Sequence, residues 1–218
     1  MSRLLCIVAL IASALAFGGC QAQRNLDLVR EMGDRNYALG DYPAALTDYQ
    51  EYVTRKPDGV DVRYSMAMTE LKMGQPQLAR EQLYQCLAVH PDNQKYAEGL
   101  AEALLACNER EELITFLTRE ARDRGRPGDY ERLGHYQFQL GNVDEAKLAL
   151  ITAAKLENPK TIKPQMELAD LYRSLGDKEN ELKRLRMALY IEPRNQDIQK
   201  RIRELGQVPG PGFTLRPE

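Results

Sequence analysis

Residues able to do acid–base or metal chemistry are few in this 218-residue chain, and they are scattered. There are two histidines and four cysteines. His135 stands one helical turn before Phe138. Glu98 and Glu102 are four residues apart, a spacing that sets both carboxylates on one face of a helix. Two carboxylates and an imidazole make a candidate site for a divalent cation or for proton transfer, and so one reading of the chain as an enzyme or a metal-dependent accessory protein. His90 precedes Pro91 in a turn, where a solvated imidazole is expected. No phosphate-cradling glycine loop, HExxH, CxxC pair or Gly-x-Ser-x-Gly occurs, and the cysteines lack metal-ligand spacing. The formal net charge is −2, which argues against nucleic acid, whose phosphates need a basic face. These observations point away from catalysis: no cofactor, no metal and no small-molecule substrate is expected. What remains is a surface for binding.

The elements that must carry that surface are legible as a repeat. A glycine slot falls at Gly40, Gly74, Asn108, Gly141 and Gly176, in steps of 34, 34, 33 and 35 residues. A fixed period of this size marks stacked units rather than one globular core. Seven residues before each slot stand Gly33, Ala67, Ala101, Gly134 and Ala169, all small. Five after it stand Ala45, Ala79, Leu113, Ala146 and Glu181, and nine after it Tyr49, Leu83, Leu117, Leu150 and Leu185. Prolines close units at Pro57, Pro91, Pro159 and Pro193. A glycine just past a helix takes the left-handed conformation that ends it, and asparagine is the usual substitute. Asp41, Asn142 and Asp177 then follow as helix N-caps, with Pro43 and Pro76 in first turns, where a missing N–H costs nothing.

This pattern resembles the tetratricopeptide repeat family over about residues 26–193. The resemblance implies an all-α, right-handed superhelical solenoid of about five helix pairs. The units are about 26–59, 60–93, 94–127, 128–160 and 161–194, with a capping helix over 195–205 that carries Ile198, Ile202 and Leu205 as one apolar stripe. Three departures stand out. Tyr52 occupies a usually small position, which widens the contact or exposes the phenol tip. Glu120 takes another, in a second helix expected to run on through Arg122 and end near Gly125. Glu181 falls where alanine should pack, and a carboxylate there needs solvent or a basic partner. Cys86 sits in a helix-packing slot as a small hydrophobe, and Cys107 ends a first helix. Antiparallel helices set the two on the order of 15 Å apart, too far for a bridge. The Pro/Gly-rich residues 206–218 are expected to be disordered.

In the resembled family the first helices of the pairs line a concave groove that holds protein segments. Projected onto this sequence, the groove takes Arg30, Asp34 and Tyr37; Tyr64, Met68 and Leu71; Glu98, Glu102 and Leu105; Glu131, His135 and Phe138; and Met166, Asp170 and Arg173. Aromatic and apolar anchors mixed with charges suit peptide recognition. Periodicity alone leaves open whether Leu71, Leu105 and Phe138 face the groove or pack between helices. The lysine-and-asparagine clamp with which some family members grip a C-terminal carboxylate is not visible.

The first twenty residues are one basic residue, Arg3, an apolar run from Leu4 to Phe17, and Gly-Gly-Cys. They resemble a bacterial lipoprotein signal, 1–19, cleaved before Cys20, which would be acylated. Phe17 departs from that pattern, in which an aliphatic residue usually stands. Residues 20–25 are then a short linker. The expectation is a scaffold in the bacterial cell envelope, lipid-anchored on the periplasmic face of the outer membrane. It would bind other proteins through its groove and support assembly of a pilus, outer-membrane or cell-wall complex. An envelope enzyme around Glu98, Glu102 and His135, and a cytosolic adaptor with an uncleaved anchor helix, are the alternatives.

Overall fold

The computed structural model describes residues 23–157 and 160–217. The leader, Cys20 and Pro159 lie outside the described residues. Within them the chain forms eleven α-helices, one short 3-10 turn and no strand. The helices are α1 (Leu26–Ala38), α2 (Tyr42–Arg55), α3 (Val60–Lys72), α4 (Pro76–Val89), α5 (Gln94–Ala106), α6 (Arg110–Arg124), α7 (Pro127–Gln139), α8 (Val143–Glu157), α9 (Lys163–Ser174), α10 (Lys178–Ile191) and α11 (Gln196–Glu204). They fall into two compact units that divide between Gly74 and Gln75, the first with α1 to α3 and the second with α4 to α11. The boundary cuts the second repeat between its two helices.

Much of the expected punctuation is present, and the Asn142 side-chain amide donates to Gln137 Oε1 at 2.7 Å. Asn108 adopts φ of 60°, the same left-handed conformation that Gly40, Gly74, Gly141 and Gly176 adopt in the equivalent slot. Asp41 and Asp177 cap the helices that follow them by accepting from Ala44 N and Asn180 N at 3.2 and 3.0 Å. α6 ends at Gly125, again left-handed.

In the first unit, Val29, Ala45, Tyr49, Tyr52, Val62 and Met66 form the core. A Cβ on Gly33 would lie 2.7 Å from the Tyr49 ring, so the ring sits directly on the α1 backbone. The Tyr49 hydroxyl donates to Asp34 at 2.8 Å; burial first, then this bond, raises its pKa. Tyr52 is buried rather than tipped into solvent. Gly59 makes the room, since a Cβ there would fall 2.6 Å from the ring.

In the second unit the same crossing recurs at Gly134, where a Cβ would meet Leu150 at 2.6 Å. Cys86 is buried, Cys107 is half-buried, and neither is in a disulfide. The two misplaced carboxylates find basic partners. Glu120 is buried and paired with Arg124, which also reaches Asp92 at 3.0 Å. Glu181 is buried and accepts from Arg201 on α11 at 2.9 Å. The cap helix is fixed further by Ile198 and Ile202, both fully buried against Ala169, Leu185, Ala188 and Leu189.

One expectation is corrected. Residues 207–217 are not a loose tail. Phe213 packs against the α10–α11 core, its carbonyl accepts from Arg186 Nε at 2.7 Å, and Leu215 N donates to the Arg186 carbonyl at 3.1 Å. The Arg186 guanidinium also lies 5.0 Å from the Phe213 ring centroid, a cation–π contact. Phe213 and Leu215 read in the sequence as a candidate short docking motif, which the proline- and glycine-rich composition outweighed.

Candidate functional site

The first helices of three successive repeats, α5, α7 and α9, meet along a polar cleft of about 280 Å³ in the second unit. Gln94, Glu98, Gly128, Glu131, Arg132, His135, Lys163 and Glu167 line it. These residues recur on one face because α7 places Gly128, Glu131, Arg132 and His135 at steps of three and four.

Arg132 organises the upper part. Its Nη1 donates to the buried Asp129 at 3.4 Å, which Arg126 also grips at 2.7 and 3.0 Å. Its Nε donates to Glu98 at 2.8 Å, and the Tyr136 hydroxyl donates to the other Glu98 oxygen at 3.0 Å. Burial first, then the charge of Glu98, raises the pKa of that phenol. Below, Lys163 pairs with Glu131 and stands 3.9 Å from Glu167. Burial first, then the charges of Glu131 and Asp170 against the opposing charge of Lys163, pushes the Glu167 carboxyl up to about 7.

Glu98, Glu102 and His135 do not form a metal centre. Glu98 is committed to Arg132 and Tyr136, and His135 is exposed, with its Nε2 2.9 Å from Gln139 Nε2 and its ring edge-on to Tyr136. Among the described residues, no three His, Cys, Asp or Glu side chains are placed to hold a metal ion.

The remaining projected residues fall on first helices, with varied freedom. In the first unit Arg30 and Asp34 are exposed and 3.7 Å apart, and Asp34 also carries the Tyr49 bond. Tyr37 is half-buried, ring edge to Tyr42. Tyr64, Met68 and Leu71 are half-buried along α3. In the second unit Glu102 is exposed and Leu105 half-buried. Phe138 packs against the Ala146, Leu150 and Leu168 core, which places it between helices. Asp170 accepts from Arg201 at 2.6 Å and Arg173 lies 3.5 Å from Glu204, so both hold the cap helix. Sequence projection missed Gln94, Gly128, Arg132, Lys163 and Glu167. Lys163 lies seven residues before Asp170, so extending that stripe one turn back would have found it.

No helix of the described residues is long and apolar enough to cross a membrane.

The model of the family described as tetratricopeptide repeat matches residues 64–109. No curated protein matches the chain. Solved structures do. A thermophilic TPR protein of Thermus thermophilus is 26% identical, over 83% of this chain and 98% of that one, with a TM-score of 0.56. MamA from Desulfovibrio magneticus RS-1 is 17% identical, over 78% of this chain and 97% of its own, at 0.58. A tetratricopeptide repeat protein from Parabacteroides merdae is 15% identical, over 94% and 80%, at 0.58.

Proposed function

Because this chain is a tetratricopeptide-repeat protein, we propose that it is a membrane-anchored, envelope-facing scaffold that binds segments of other proteins and supports assembly of a multiprotein complex. One observation carries the binding half: side chains from three successive first helices open onto one cleft, with Glu131, Arg132 and Lys163 already fixed by their neighbours. Preformed charges of both signs recognise a polypeptide without being reordered on binding, which preserves affinity. The exposed Glu102 and His135 border the same face. Half-buried Tyr64, Met68 and Leu71 supply apolar contact on the first unit's α3.

The anchoring half rests on the leader, the Gly-Gly-Cys20 sequence and the resemblance to lipoprotein signals. Acylation at Cys20 on more than one chain gives stable membrane attachment. Outer-membrane, pilus and cell-wall assemblies are the complexes such an anchor brings within reach.

Two experiments test these halves. Metabolic labelling with palmitate, with Cys20→Ala as control, is expected to mark the wild type alone; unlabelled wild type removes the anchor. Affinity capture from detergent-solubilised membranes is expected to recover partners that Glu102→Lys with His135→Glu releases. Partners held equally by both proteins remove the cleft.

A further inference from the structure

Helix α1 and its C-cap residue, Leu39, carry an apolar stripe. Leu28, Met32 and Leu39 are 47, 39 and 72% exposed. With about 100° between successive helical residues they fall within about 40° of one another. Arg35, also exposed, falls about 20° outside this arc on the side that Glu31 and Asp27 border, and Asn36 on the other side is bonded to Asp48 at 3.0 Å. The entering chain is fastened beside this stripe. Arg24 Nη1 lies 3.7 Å from Met32 Sδ, and the same guanidinium grips Asp48 at 2.8 Å and Glu51 on α2.

Only four peptide steps separate Arg24 from Cys20, a reach of at most about 14 Å. The stripe itself is of similar length, about 17 Å for eleven residues of rise. A residue held in the bilayer by acyl chains at Cys20 therefore keeps Arg24, and the face beside it, within one tether length of the lipid.

We propose that the α1 stripe of Leu28, Met32 and Leu39 rests on the surface of the membrane that anchors the chain, with Arg35 reaching lipid phosphates. This rests on the proposed acylation of Cys20. It goes further by fixing which face of the first repeat meets the bilayer: the arrangement is a seated contact rather than a repeat swinging on a free tether. Apolar side chains at a membrane interface add to the affinity that acyl chains provide.

The chain has no tryptophan, so an introduced one is a clean reporter. The chain from Cys20 onward, with the half-buried Cys107 replaced by serine, is coupled through Cys20 to a maleimide lipid. The vesicles are of phosphatidylcholine and phosphatidylglycerol with brominated acyl chains. Met32→Trp, on the stripe, is expected to shift to the blue and lose most of its emission. Arg30→Trp, on the opposite side of the same helix, is expected to lose little. Circular dichroism checks that each variant is folded, and Leu28→Trp serves as a second reporter. Equal quenching of both reporters, or of neither, overturns the proposal. A blue shift at Met32→Trp without quenching overturns it as well and assigns the stripe to a second copy of the chain. Because coupling is chemical, these outcomes are independent of acylation in cells, which the palmitate labelling reads separately.

Discussion

Arg201, on the last helix, donates one Nη to Glu181 at 2.9 Å and the other to Asp170 at 2.6 Å. Glu181 occupies the position at which Ala45, Ala79 and Ala146 pack in other repeats, so this one arginine ties α9, α10 and α11 together. Arg201→Ala leaves a buried carboxylate without its partner, and removing one member of a buried pair costs roughly 3–5 kcal/mol. Glu181→Ala with Arg201→Ala restores the small residue of the other repeats. That double variant is expected to be more stable than Arg201→Ala alone, as read by chemical denaturation. Equal stability of the two would show that Glu181 escapes to water.

The crossing of α1 and α2 gives a second test. Gly33 lies under the Tyr49 ring, with room for no Cβ, whereas alanine faces leucine at the matching positions in repeats two, three and five. Glycine in a helix ordinarily costs about 1 kcal/mol relative to alanine. Gly33→Ala is nevertheless expected to destabilise, by roughly 1–3 kcal/mol of overpacking. Gly33→Ala with Tyr49→Leu should recover part of that loss, although it gives up the bond to Asp34. A thermal melt showing Gly33→Ala to be stabilising would contradict the packing.

Glu167 makes stability depend on pH. Its folded pKa, about 7, lies above its ordinary value of 4.5. Between those values the folded chain holds a proton that the unfolded chain has released. The stabilisation is therefore complete below about 4.5 and is lost as the pH rises through 7. Glu167→Gln removes this slope. Relative to the wild type, its melting temperature is expected to rise more at about pH 8 than at about pH 4, and a parallel offset at both would place Glu167 in water.

The docked tail should contribute measurably. Phe213 is half-buried against the cap core, so Phe213→Ala is expected to cost about 2 kcal/mol, below the roughly 3–5 of a fully buried ring. Limited proteolysis should then cut after residue 206 faster than in the wild type. Unchanged cleavage would mean that the ring adds nothing to the docking.

Much of the fold could be read from spacing, because each repeat solves the same local problem. A left-handed slot at Gly40 or Asn108 ends one helix, Asp41 or Asp177 starts the next, and Gly33 or Gly134 lets a large side chain cross. These constraints act within a few residues and leave a periodic trace. Pairings across longer separations leave none. Arg201 lies twenty residues beyond Glu181, and Arg132 thirty-four beyond Glu98, so the sequence posed the need for a basic partner at Glu181 without supplying it. Phe138 was ambiguous for a different reason: a helical stripe has no mark dividing its core edge from its open edge. Three of the eight lining residues, Glu98, Glu131 and His135, were visible as one first-helix face. Lys163 and Glu167 lay just outside the projected arc.

The central claim, that the first-helix face of the second unit holds another polypeptide, is tested most directly by photo-crosslinking in intact cells. A benzophenone side chain replaces His135, on the cleft, or Leu148, an exposed residue of the second helix α8. Irradiation is expected to yield a discrete higher-mass adduct from position 135 and none from position 148. The same adducts from both positions, or an adduct only from 148, would contradict the account.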